Sequence, residues 1–184
     1  MSYKAPLAST TGYGIVQVGT GISVTDGVIS GSTGLLNYGF FRGTSPQSNP
    51  VASAINLVTL DTTGPANGVS ISGGNSLVVA NAGTYTKLFT MNLNKTSAGA
   101  STISVWLRLD GVDLPGSAQD LILTGALDTI FVSGNYTLDM AAGSNIQMCW
   151  SSADVTMQLL ELPARVAPIR PTGDSVKITL TRIS

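Results

Sequence analysis

Apolar and polar side chains alternate with period two along most of the chain, and no window carries a capped 3.6-residue stripe. The clearest stretch is Ser101 to Ser117. Ile103, Val105, Leu107 and Leu109 fall on one side of it, and Ser104, Trp106 and Arg108 on the other. Asp110-Gly111 then supplies a two-residue turn that tolerates positive φ, Val112 starts a return, and Pro115-Gly116 ends it. From Val51 onward the same reading predicts strands over 55–61, 69–72, 76–81, 84–93, 102–110, 121–124, 129–140, 145–151, 155–161 and 176–183. Turn signals fall between them: Thr63-Gly64-Pro65, Gly73-Gly74-Asn75, Asn81-Ala82-Gly83, Ser133-Gly134-Asn135, Ala142-Gly143-Ser144 and Pro171-Thr172-Gly173-Asp174. Many short strands at regular spacing predict an all-β sandwich or barrel.

Several strands carry large residues on both faces. Tyr85, Phe89, Met91 and Leu93 share one side of their strand while Leu88 takes the other; Ile146, Met148 and Trp150 oppose Cys149. A sheet with one solvated face alternates apolar and polar more cleanly than this, so a second buried surface is expected, as at an obligate subunit interface. Tyr85, Phe89, Trp106, Arg108 and Trp150 are the candidate interface residues. Trp106 and Arg108 also read as an exposed cross-strand cluster or a ligand patch. Trp150 also reads as core or axis packing, with its indole N–H on a nearby carbonyl.

Residues 1–50 differ from the rest, with Lys4, Asp26 and Arg42 as their only charges and glycines between very short apolar runs. Those runs are Ile15–Val18, Ile22–Val24 and Val28–Ile29, and Asp26-Gly27 has hairpin chemistry. Strands this short bury little alone, so the segment is expected to lie on sister chains, on a body domain or on a larger assembly. Leu35 to Phe41 forms an apolar and aromatic patch, read as a docking plug in preference to the first strand of the body. The stretch from Arg42 to Pro50 reads as a linker, which places the domain boundary between an arm, 1–50, and a body, 51–184. Candidate anchoring residues of the arm are Ile15, Val16, Val18, Ile22, Val24, Val28, Ile29, Leu35, Leu36, Tyr38, Phe40 and Phe41.

Composition narrows the function. Only 10% of the 184 residues are charged, and the net charge is −1; typical domains carry roughly 25%. The nine basic residues are scattered, which argues against nucleic acid. No apolar run approaches a membrane span, and the N-terminus lacks the apolar core of a signal peptide, so neither membrane insertion nor secretory export is expected. The chain has no histidine, which removes Ser-His-Asp and Cys-His catalysis and His-ligated zinc. The single Cys149 reads as a packed thiol. Asp110 and Asp113 are too few for calcium, and Glu161, the only glutamate, has no partner at glycosidase spacing. No enzyme activity, cofactor or metal is expected.

The body also resembles a known family. The resembling elements are Ala82-Gly83-Thr84-Tyr85 opening a long strand, Val105-Trp106-Leu107-Arg108-Leu109-Asp110-Gly111-Val112-Asp113-Leu114-Pro115, Leu138 to Ser144 before Ile146 to Ser151, and a final Val176 to Ile183. Their order and spacing are similar to the C1q/TNF-like jelly roll that recurs in bacteriophage structural proteins, especially those of cyanophages. The stretch Tyr13 to Ser30 resembles segments of phage fibre proteins. The resemblance implies a C1q/TNF-like jelly-roll sandwich with an extended N-terminal β arm, assembled as a homotrimer. It further implies a virion structural protein. Fibres of this class are longer and carry a distinct adaptor domain, which favours a capsid decoration (cement) protein or short head fibre, anchored to the major capsid protein or another virion protein by the arm. The alternative is a small tail or baseplate fibre whose loops, 64–68, 95–100 or 115–120, bind a host surface glycan or protein.

Overall fold

The computed structural model describes residues 36–184, together with the backbone of two short strands before them. The chain divides into two units between Leu35 and Leu36. In the first, β1 (Ile22–Thr25) and β2 (Val28–Gly31) pair antiparallel with Thr25 opposite Val28, the register that a hairpin around Asp26-Gly27 requires. Ile15, Val16, Val18 and Leu35 lie outside the described residues, as do the side chains of Ile22, Val24, Val28 and Ile29.

The second unit is a sandwich of two antiparallel sheets. Its strands are β3 (Tyr38–Gly43), β4 (Gln47–Ser48), β5 (Asn56–Leu57), β6 (Thr62–Asn67), β7 (Val69–Ser72), β8 (Ser76–Val79), β9 (Gly83–Lys95), β10 (Ser101–Leu109), β11 (Val112–Asp113), β12 (Gln119–Leu123), β13 (Thr129–Met140), β14 (Asn145–Ser152), β15 (Met157–Leu159), β16 (Arg165–Val166), β17 (Ile169–Arg170) and β18 (Val176–Arg182). One sheet runs β13-β9-β18-β3-β6, with β15 and β4 continuing beside the end of β9. The other runs β12-β10-β14-β8-β7, with β11 and β5 flanking it.

Alternation decides what each strand buries. Tyr85, Phe89, Met91 and Leu93 of β9 and Ile178 and Leu180 of β18 point inward from the first sheet. They share one core cluster with Ile103, Val105 and Leu107 of β10 and Ile146, Met148 and Trp150 of β14. Gly134 of β13 stands opposite Phe89, where a Cβ would strike the ring; its absence lets Phe89 stack with Tyr136 at 6.2 Å between centroids. The expected turn at Asp110-Gly111 forms with φ of 49° and 81°, the positive-φ pair of a type I′ hairpin. The Asp110 carboxylate accepts from the Ser144 hydroxyl at 2.9 Å and from the Asn145 backbone N–H at 2.7 Å, tying this turn to the neighbouring one.

Four expectations need correction. The patch around Tyr38–Phe41 is not a docking plug: β3 lies inside the first sheet, paired with β18 on one side and β6 on the other, and Phe41 is fully buried in the core. A boundary at residue 50 would cut this strand from its sheet, so the body begins at Leu36. The stretch 55–61 is extended but ladders with β14 only at Asn56 and Leu57. Val58 and Leu60 are buried all the same, their N–H groups donating to Met148 O and Gly74 O in turn. Thr63-Gly64-Pro65, read as a turn, lies within β6. That strand is at the edge of its sheet, where proline's missing N–H costs no ladder bond.

Candidate self-assembly surfaces

Even-numbered residues of β9 point away from the core, and the pairing registers extend them into rows across four strands. One row is Asn135, Leu88, Thr179 and Phe40; the next is Thr137, Thr86, Thr181 and Tyr38; a third is Ser133, Thr90, Lys177 and Arg42. This outer face is a lattice of threonine and asparagine around exposed Leu88. Its charges are few. Arg42 is paired with Asp174 at 3.5 Å, and Asp139 accepts from the Thr84 hydroxyl at 2.7 Å. Phe131 projects from β13 on the same side, 67% exposed, and Ile122 and Leu127 are exposed on the adjoining β12–β13 edge. A solvated sheet face is ordinarily richer in charge.

The candidate interface residues divide in two. Tyr85, Phe89 and Trp150 are interior residues of one subunit, each at most 1% exposed, so they are not contact residues. Their size suits the space between the sheets, and periodicity cannot distinguish that space from one between subunits. The indole N–H of Trp150, expected to reach a carbonyl, is buried without an acceptor. Trp106 and Arg108 lie on the outer face of the second sheet, partly exposed. There the Asp113 carboxylate accepts from Trp106 Nε1 at 2.8 Å and Arg108 Nε at 2.9 Å. These bonds, Arg108's first, hold the Asp113 carboxyl below its usual range. Cys149, paired with Trp106 across the ladder, is covered, and burial pushes its thiol up. Of the arm candidates, Phe41 is core, Phe40 and Tyr38 belong to the outer face of the first sheet, and Leu36 is exposed at the start of the body.

The inner face of β9 holds a residue that the sequence reading passed over. Lys87 sits between Tyr85 and Phe89, fully buried, and its amine has no hydrogen-bond partner. Burial drives it down from 10.5 to about 7, with Cys149 opposing. The alternation itself was the available signal, because Lys87 occupies an inward position. Lys95, also buried, donates to Gly99 O and to the Ser101 hydroxyl. Asp154 accepts from the hydroxyls of Ser97, Ser101 and Thr156, and these bonds hold it well below the carboxylate range. The two residues fix the loop 96–100. Among the described residues no group of three or more His, Cys, Asp or Glu is placed to hold a metal.

No family model matches the chain, and no curated protein matches it. Among solved structures it is similar to the Eiger TNF of S. frugiperda, with a TM-score of 0.52 and 12% identity over 81% of this chain and 93% of that one. The likeness is one of fold: the chain is an all-β protein with a TNF-like jelly-roll sandwich.

Proposed function

We propose that the chain is a non-enzymatic virion structural protein, a homotrimeric capsid decoration or short head-fibre protein held to the shell by its N-terminal segment. The observation that carries self-assembly is the charge-poor outer face of β13-β9-β18-β3, with Leu88 and Phe131 exposed on it. It suits a neighbour's apolar β12–β13 edge, where Ile122 and Leu127 are exposed. Joining one patch to a different patch on the next copy closes into a ring when the rotation allows. A TNF-like fold is consistent with three subunits. The virion assignment is supported by the fibre-like residues Tyr13 to Ser30 and by a composition too poor in charge to cover a free monomer's surface.

Three linked segments binding neighbouring capsid subunits act multivalently, so each contact can be weak while the sum is strong. The test is removal of residues 1–35. The shortened protein is expected to remain a soluble trimer and to lose binding to capsids; retained binding refutes the anchoring role. Copy number per particle then separates shell from tail, with hundreds marking the shell and about a dozen the tail.

A further inference from the structure

The loop from Leu162 to Gly173 is closed at its base by reciprocal backbone hydrogen bonds between those two residues, each 2.8 Å. Within it β16 and β17 pair antiparallel, with Arg165 directly opposite Arg170 and Val166 opposite Ile169. Residues directly opposite in a ladder project to the same face, so both arginines lie on one side of the ribbon and both aliphatic residues on the other. Their Cβ atoms are about 5 Å apart in such a pair, and like charges at that spacing repel. Pro163, Pro168 and Pro171 punctuate the segment. Each fixes its own φ, which limits how far the strands can splay to separate the charges.

Arg170 is the unusual member of the pair. Its Nε and Nη2 are shielded from solvent and have no hydrogen-bond partner. These two atoms form the side-on fork of a guanidinium, the edge whose parallel N–H groups take two oxygens of one anion. A charged donor stripped of water and given no acceptor costs more than a neutral one. No other arginine among the described residues is left in this state; Arg42 is paired with Asp174, and Arg108 with Asp113. The subunit has no aspartate to spare for the hairpin. Each described aspartate already accepts from a hydroxyl or an arginine. Glu161 forms no ion pair with either hairpin arginine. The missing acceptor therefore comes from outside the subunit.

We propose that Arg165 and Arg170 form a subsite for one tetrahedral dianion, a phosphate or sulfate group. One such anion matches the charge of the two guanidinium groups. Two of its oxygens fill the Nε–Nη2 fork, and a further oxygen is left for Arg165, which is exposed beside it. A carboxylate fits less well, because it neutralises one charge of the two and has no third oxygen. Arg170 is only partly covered as a whole, so the anion enters from the Arg165 side and the fork turns to meet it. The chain's net charge of −1 supplies no general attraction for anions, so binding depends on this pair. The subsite involves neither Leu88 nor Phe131, and it stands or falls apart from the assembly reading.

The Nε–H resonances of Arg165 and Arg170, followed by nuclear magnetic resonance in the full chain, test the subsite. Sodium sulfate and sodium phosphate are expected to shift both resonances saturably. Sodium acetate is expected to act at least tenfold more weakly, and sodium chloride at matched ionic strength to give no saturable shift. Arg170→Lys keeps the charge and loses the fork. In that variant the Arg165 resonance is expected to respond to sulfate at least fivefold more weakly, with an unchanged circular dichroism spectrum, because neither arginine belongs to the core. A response to one of the two dianions alone supports the subsite and identifies its ligand. The proposal is overturned by the absence of a saturable shift, by a chloride response equal to that of sulfate, by acetate binding as tightly as sulfate, or by wild-type affinity in Arg170→Lys.

Discussion

Lys87 is the residue whose chemistry conflicts most with its place. An amine in an apolar core without a partner favours its neutral form, because the charged form loses its hydration and gains no counter-ion. Its folded value of about 7 lies below the ordinary 10.5, so between those values the unfolded chain binds more protons than the folded one. Stability therefore rises with pH across that window, by about 1.4 kcal/mol per unit, and this group adds no slope below it. Denaturant unfolding at pH 6, 8 and 9.5 is expected to show the rise in wild type and not in Lys87→Met. At neutral pH that variant is expected to be more stable, by about 1–4 kcal/mol. Equal stability at pH 8 would mean that the amine has found a partner. Phe41 makes the opposite case. It is fully buried, and Phe41→Ala is expected to cost about 3–5 kcal/mol in the same assay; a purely anchoring side chain would cost almost nothing.

At the scale of the element, β3 decides where the body begins. Its odd positions, Gly39 and Phe41, face the core, and its even positions continue the rows of the outer face. Removing residues 1–35 leaves every strand of the sandwich in place. Removing residues 1–45 strips β3 from between β18 and β6 and opens the core at Phe89 and Ile178. The first truncation is expected to unfold cooperatively and the second to be insoluble or to bind a hydrophobic dye; a well-folded second truncation would return the segment to the arm. Strands with strong alternation were legible from the residues: 69–72 and 129–140 form over the predicted spans, and β9, β10, β14 and β18 form within one or two residues of the prediction at either end. The stretch 55–61 was less legible, because its residues pass from one pairing partner to another, and inward alternation does not reveal the change.

For the whole molecule, the question is which surface another copy covers. Val166 and Ile169 project alone from a hairpin, whereas Leu88 lies within a broad sheet face whose charges, Arg42, Lys177 and Asp139, are few. Leu88→Asp with Phe131→Asp places two charges on that face without disturbing the core, since both side chains point outward. If the proposed trimer forms through this face, wild type is expected to sediment as three subunits and the variant as a single folded one; a trimeric variant would move the interface elsewhere, with the Trp106–Arg108–Asp113 cluster the first alternative.

The order of apolar and polar residues was enough to establish an all-β sandwich, most of its strands, the turn at Asp110-Gly111 and the side of β9 on which Tyr85 and Phe89 lie. These are local properties, set by a period of two and by the few residues that accept positive φ. Which of two apolar sides faces the opposing sheet is not local. Tyr85, Phe89 and Trp150 satisfy the pattern of a core and of an interface equally, and only the closing of one sheet over the other places them inside. The same closure buries Lys87, makes a central strand of a patch that resembled a plug, and leaves Leu88, Phe131 and the Val166–Ile169 tip outside, because each depends on residues far along the chain meeting across the sandwich.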